Sequence, residues 1–220
     1  FRDELVVKPH SSTGLERLVP FSSWTLIIFG LAMWFNGLIS LFFLFGAPPP
    51  ILIIQVGVGV FSTAFSAAAL TAVIVRYVIL PSMVQNEGPI DHMFLPHEQV
   101  MHNWALILLA VELGLGWMVV QTPMVSLGLT YGALYLIFAE LWAIWGGGYY
   151  VYEFIDPRPR LAPFLLLGLT LVCALSFGVG LIVSLIREQN PFLAIFLLFL
   201  LVIGSTRFKN PAALGDSTSN

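Results

Sequence analysis

The chain has 220 residues, 58% of them hydrophobic and only 10% charged, with mean hydropathy +0.92 and net charge −3. A soluble domain carries about 25% charged residues, and folding hides only about 70–75% of the surface of a chain this long, so a water-soluble globule is excluded and the bilayer is part of the solvent. The nine Lys and Arg form no basic stripe of the kind nucleic acid requires, and a single cysteine, Cys173, rules out an intramolecular disulfide.

Residues 1–20 read as a polar amino-terminal tail. The first residue, Phe1, is similar to the first residue left by processing of plastid proteins, and no signal or transit peptide lies within the chain. A membrane-spanning helix needs about 20 mainly apolar residues, and five stretches meet that length: 22–46, 51–80, 99–120, 124–147 and 161–186. A sixth, 191–204, is shorter and is counted as a span because Gln189–Asn190 and Ser205–Thr206 extend it toward the headgroups. The breaks between them are chemical. "APPP" (47–50), "QTPM" (121–124) and "DPRPR" (156–160) contain prolines, which lack a donor and clash with the preceding turn. "EGPIDHMFLPHE" (87–98) is the longest loop, and residues 205–220 are a polar tail. Six spans place Arg2, Lys8, Arg17, Arg76, Arg158, Arg160, Arg207 and Lys209 on one side and Arg187 alone on the other. The positive-inside rule then puts both termini on the cytoplasmic, stromal or matrix side. The expected fold is an all-α integral membrane protein, a polytopic bundle of about six transmembrane helices over residues 21–204.

Ionisable residues within spans are costly and raise a functional question by default. They are Arg76, His102, Glu112 and Glu140. At about 1.5 Å rise per residue, Thr25 near the start of the first span, Arg76 near the end of the second and His102 near the start of the third fall in one slab at the positive side. Glu140 lies slightly deeper and Glu112 near the midplane. A hydroxyl beside an imidazole is a nucleophile–base arrangement. Each residue also has a plainer role. Thr25 can cap or back-bond its helix, His102 can sit at the interface, Arg76 can snorkel to the headgroups or pair with Glu140, and Glu112 needs neutrality or a partner. His92 and His97 belong to the loop. "HEQVMH" (97–102) spaces its histidines five apart, off a common helix face, so zinc and other metals are not expected. The aromatic cluster "WAIWGGGYYVYEF" (142–154) reads as an interfacial belt.

Three blocks carry a resemblance. "SSWTLIIFGLAMWF" holds Trp24, Thr25 and Phe35; "VMHNWALILLAVELG" holds His102 and Glu112; "LYLIFAELWAIWGGGYYVYEFID" holds Trp142, Gly148, Tyr152 and Phe154. In order and separation they resemble the androgen-induced membrane protein family, whose best-known members are threonine-type hydrolases of fatty-acid esters of hydroxy fatty acids. The resemblance covers roughly residues 20–185 and marks a divergent member. Gln99 stands where many members carry a second His, Asn103 where a Thr often follows the base, and Glu153 where the Tyr-Pro-Phe turn has Pro; the segment 191–204 is additional. The resemblance implies Thr25 as nucleophile, His102 as base, a membrane lipid ester as substrate and no required cofactor. Arg76 or Asn103 is the expected oxyanion donor, with Glu112 and Glu140 in support.

A different class remains open: a non-catalytic accessory subunit of a large photosynthetic or respiratory membrane complex, holding pigment or lipid and contacting other subunits. The two readings place the chain in the endoplasmic reticulum or the thylakoid. A small transporter using Glu112 and Glu140 ranks lowest, because no inverted repeat is visible.

Overall fold

The computed structural model describes residues 6–7, 14–85 and 90–210. Arg2 and Lys8 of the charge argument, Glu87, Gly88 and Pro89 of the long loop and the terminal "GDSTSN" lie outside the described residues. Among the described residues, six helices make up the bundle. They are α1 (Phe21–Leu44), α2 (Ile51–Gln85), α3 (residues 96–115), α4 (Thr122–Gly146), α5 (Ala162–Gln189) and α6 (Pro191–Ser205). Four of them, α1, α2, α4 and α5, are long and apolar enough to cross a membrane. The chain is an all-α, membrane-embedded protein. The fifteen residues of α6 reach only about 22 Å, and α3 carries His97, Glu98, His102 and Glu112.

Helix α2 is the hub, with four-fifths of its apolar window buried. Its sequence explains that place: "STAFSAAALTA" (62–72) is almost all small residues, which let neighbouring backbones approach where no hydrophobic effect drives helix association. Phe61 and Phe65 are the only large side chains of residues 61–69, and both are fully buried. α2 touches α1, α3, α4, α5 and α6. Gly180 of α5 shows how close the approach is, since a Cβ there would stand 2.9 Å from the Phe65 ring and 3.0 Å from Val120. By contrast α1 turns Ile27, Trp34 and Phe43 outward, as a helix facing lipid does.

Three of the helices widen into single π turns: Val75–Ile79 in α2, Val100–Trp104 in α3 and Trp142–Gly146 at the end of α4. The first precedes Pro81, which cannot donate to the Tyr77 carbonyl; a local π adjustment is how a membrane helix accommodates that loss. Arg76 and His102 both lie in such turns. Beyond the helices, Val6–Val7 and Tyr149–Tyr150 form a two-residue parallel pairing.

Gly116 ends α3 in the left-handed region, φ 81°, and a Cβ there would fall 1.8 Å from the Arg187 guanidinium. Thus Arg187 lies over the carboxyl-terminal end of α3, where a cation suits the helix dipole. Gly116→Ala is expected to cost about 1–2 kcal/mol, from the left-handed backbone. Thermal unfolding in detergent checks this. Adding Arg187→Ala should not restore the loss, because a flexible guanidinium can move aside while the backbone strain stays.

Candidate functional site

The placement of Thr25 and His102 follows from three antiparallel and parallel pairings. The Thr25 and Thr71 hydroxyls are 2.9 Å apart, while at the other end of the same pair Gly57 lies against Ile39 and Phe35. So α1 and α2 are antiparallel. Ala72, Val75 and Arg76 of α2 line one small cleft with Gln99, His102 and Asn103 of α3, whereas Gly57 lies near Met118 just beyond α3. So α2 and α3 are antiparallel too, and α1 and α3 run in the same direction. A cross-link fixes their relative height: Asn36 of α1 donates to the Glu112 carboxylate of α3. Thr25 is eleven residues before Asn36, and His102 is ten before Glu112. At about 1.5 Å per residue the two share a level. The π turn that holds His102 packs against both α1 and α2.

Locally, each side chain is held. Thr25 is fully buried. Its hydroxyl donates to the Phe21 carbonyl one turn back, 3.1 Å away, so the Thr71 hydroxyl donates to it in turn. Neither partner is His102. His102 is 6% exposed, and its Nε2 lies 3.6 Å from Oε2 of Glu98, one turn earlier. The same carboxylate is 3.6 Å from the exposed His97. Glu98 and Thr71 are the two neighbours that sequence reasoning missed. The i, i+4 spacing of Glu98 and His102 was a readable signal; Thr71 was hidden in the small-residue run.

The supporting residues act elsewhere. Arg76 donates to the carbonyls of Ile203 (2.5 Å) and Thr206 (2.6 Å), and Tyr77 donates to Gly204. The Asn103 amide donates to Gln99 and to the Arg207 carbonyl and accepts from the Arg207 N–H. Both expected oxyanion donors therefore fasten the end of α6 across the start of α3. Glu140 does not draw its partner from Arg76 but accepts from Tyr150, 2.9 Å away. Tyr150 in turn carries the Arg158 guanidinium over its ring, 5.6 Å from the centroid. Arg158 hydrogen-bonds and pairs with Asp156, which holds that buried carboxyl below its ordinary value. The pair thus stabilises the loop at neutral pH, and that support is lost on acidification below the ordinary carboxylate range. Among the described residues, no group of three or more His, Cys, Asp or Glu could hold a metal ion.

Beside Thr71, α1, α2, α4, α5 and the loop at Tyr152–Ile155 line a mainly apolar, partly open cavity of about 300 Å³. Thr71 forms part of its wall, so the Thr25 hydroxyl is one hydrogen bond away from an apolar space of small-molecule size. No protein-family model, no curated protein and no solved structure matches the chain.

Proposed function

We propose that the chain is an intramembrane lipid-ester hydrolase of the threonine type, related to the androgen-induced membrane protein family. In this reading the bundle crosses the membrane six times and its positive end faces the cytoplasm, stroma or matrix. The observation that carries it is the common level of Thr25 and His102 on two parallel helices, next to an apolar cavity. Thr25 Oγ1 attacks the ester carbonyl carbon and its proton passes to an imidazole nitrogen of His102. The alcohol leaves with that proton, and the acyl group remains on Thr25. Water, deprotonated by His102, then releases the acid and restores the hydroxyl. A threonine in a helix populates two χ1 rotamers, one of them back-bonded, so rotation away from the Phe21 carbonyl frees the hydroxyl for the base. Glu98 orients and favours the imidazolium that forms.

A second reading, a non-catalytic subunit of a photosynthetic or respiratory complex, is favoured by one observation: Thr25, Arg76, Asn103 and Glu112 are all bonded into the scaffold. Turnover separates the two. Purified chain in phosphatidylcholine nanodiscs, given a fluorogenic long-chain ester, is expected to release alcohol above the rate of empty nanodiscs. Turnover equal to empty nanodiscs, with co-purification at fixed stoichiometry in a larger complex, selects the second reading.

A further inference from the structure

Thr25 and His102 lie at the positive end of the bundle. The opposite end carries two charges, adjacent in the chain. Arg187 and Glu188 stand two residues and one residue before the end of α5. The 28 residues of α5 extend about 42 Å, the thickness of a bilayer with both headgroup regions, so the pair stands at headgroup level. The connections that share this end, 45–50, 116–121 and Asn190, are uncharged. Arg187 is half-buried. Among the described residues its guanidinium makes no hydrogen bond and no ion pair. The end of α3 offers it a favourable dipole but accepts none of its N–H donors. Glu188, exposed beside it, makes no ion pair among the described residues either. The guanidinium is nonetheless held in place. Its carbon and both terminal nitrogens pack against Gly116, where any Cβ would collide with them. Trp117, the next residue, is 65% exposed and Phe192 85%, as aromatic rings at a membrane–water interface are.

A partly desolvated guanidinium whose planar fork is unused matches a phosphate oxygen pair in charge and geometry. We infer that this end of the protein binds one zwitterionic phospholipid, its phosphodiester accepting from Arg187 and its ammonium pairing with Glu188. The order of charges selects the headgroup. A purely anionic headgroup satisfies Arg187 and then meets the Glu188 carboxylate with the same sign. A headgroup with an ammonium beside its phosphate answers both side chains at once. A primary ammonium also donates hydrogen bonds to the carboxylate, so an ethanolamine phospholipid is the preferred occupant. The site lies at the far end of the bundle from Thr25, so it holds a lipid without presenting it for hydrolysis, and it stands whether or not Thr25 reacts.

Native mass spectrometry of the full chain, released from detergent micelles with added dioleoyl phosphatidylethanolamine or dioleoyl phosphatidylglycerol, tests this. We expect the first phosphatidylethanolamine to bind about threefold more tightly than the first phosphatidylglycerol, the ratio that a solvent-exposed ion pair supplies. Arg187→Gln should weaken phosphatidylethanolamine binding about tenfold, with the unfolding temperature reporting that the variant is folded. Glu188→Gln changes an exposed side chain, so it reads the site even if Arg187→Gln does not fold. It should keep the lipid on Arg187 and abolish the advantage of phosphatidylethanolamine over phosphatidylglycerol. Soluble glycerophosphoethanolamine should not displace the lipid, because the acyl chains supply most of the hold; displacement at equal concentration assigns the site to a free phosphodiester and overturns the lipid. Equal affinity of the unsubstituted chain for the two lipids, a preference that survives Glu188→Gln, or undiminished binding by folded Arg187→Gln overturns the inference.

Discussion

Thr25→Ala is expected to reduce ester turnover by about a thousandfold or more, since in the proposed mechanism no other group supplies the nucleophile. Thr25→Ser should retain a measurable part of the rate, because it keeps the oxygen on the same helix face. His102→Ala should lose about as much as Thr25→Ala, and the double variant should be no worse than either, because residues acting as a unit are not additive. The structural effect of Thr25→Ala is separable. It leaves the buried Thr71 hydroxyl without its acceptor, costing about 1–3 kcal/mol. Thermal unfolding measures that loss independently of turnover. If Thr25 serves only as a back-bonded helix hydroxyl, the unfolding temperature falls and the rate of the folded fraction does not.

Asn36→Leu is expected to destabilise the bundle by about 2–4 kcal/mol, the largest effect on folding that the structure supports. Its amide donates to Glu112 in the apolar centre of the helix pair. Deleting the donor leaves the half-buried Glu112 carboxyl group without that partner in an apolar surrounding. Glu112→Gln keeps an acceptor and should cost less than about 1 kcal/mol. Asn36→Leu with Glu112→Leu should recover much of the loss, because removing both partners is far cheaper than orphaning one. Reversible unfolding in mixed micelles compares the three variants. Since this cross-link also sets the height of α1 against α3, Asn36→Leu should lower turnover in the molecules that remain folded.

The helices were legible because their signals are local. The apolar runs and the prolines at 48–50, 123, 157 and 159 placed each helix within about five residues of where it lies. Glu112 was legible as a residue in need of a partner, but not the identity of that partner: Asn36 is 76 positions away and meets it only because α1 and α3 run parallel. The π turns at Arg76 and His102 left no mark, since a single wide turn barely disturbs an apolar pattern. Arg76 and Asn103 looked like donors awaiting an oxyanion because the sequence cannot show that α6 ends against them. The cavity was illegible for a deeper reason. It belongs to four helices and a loop at once.

Covalent trapping tests the shared level of Thr25 and His102 most directly. After reaction with a long-chain fluorophosphonate in native membranes, the digested chain should carry the phosphonate on Thr25, and His102→Ala should prevent its formation. Modification of Ser22 or Ser23 instead, or an unmodified Thr25 in membranes that hydrolyse ester, would contradict the account.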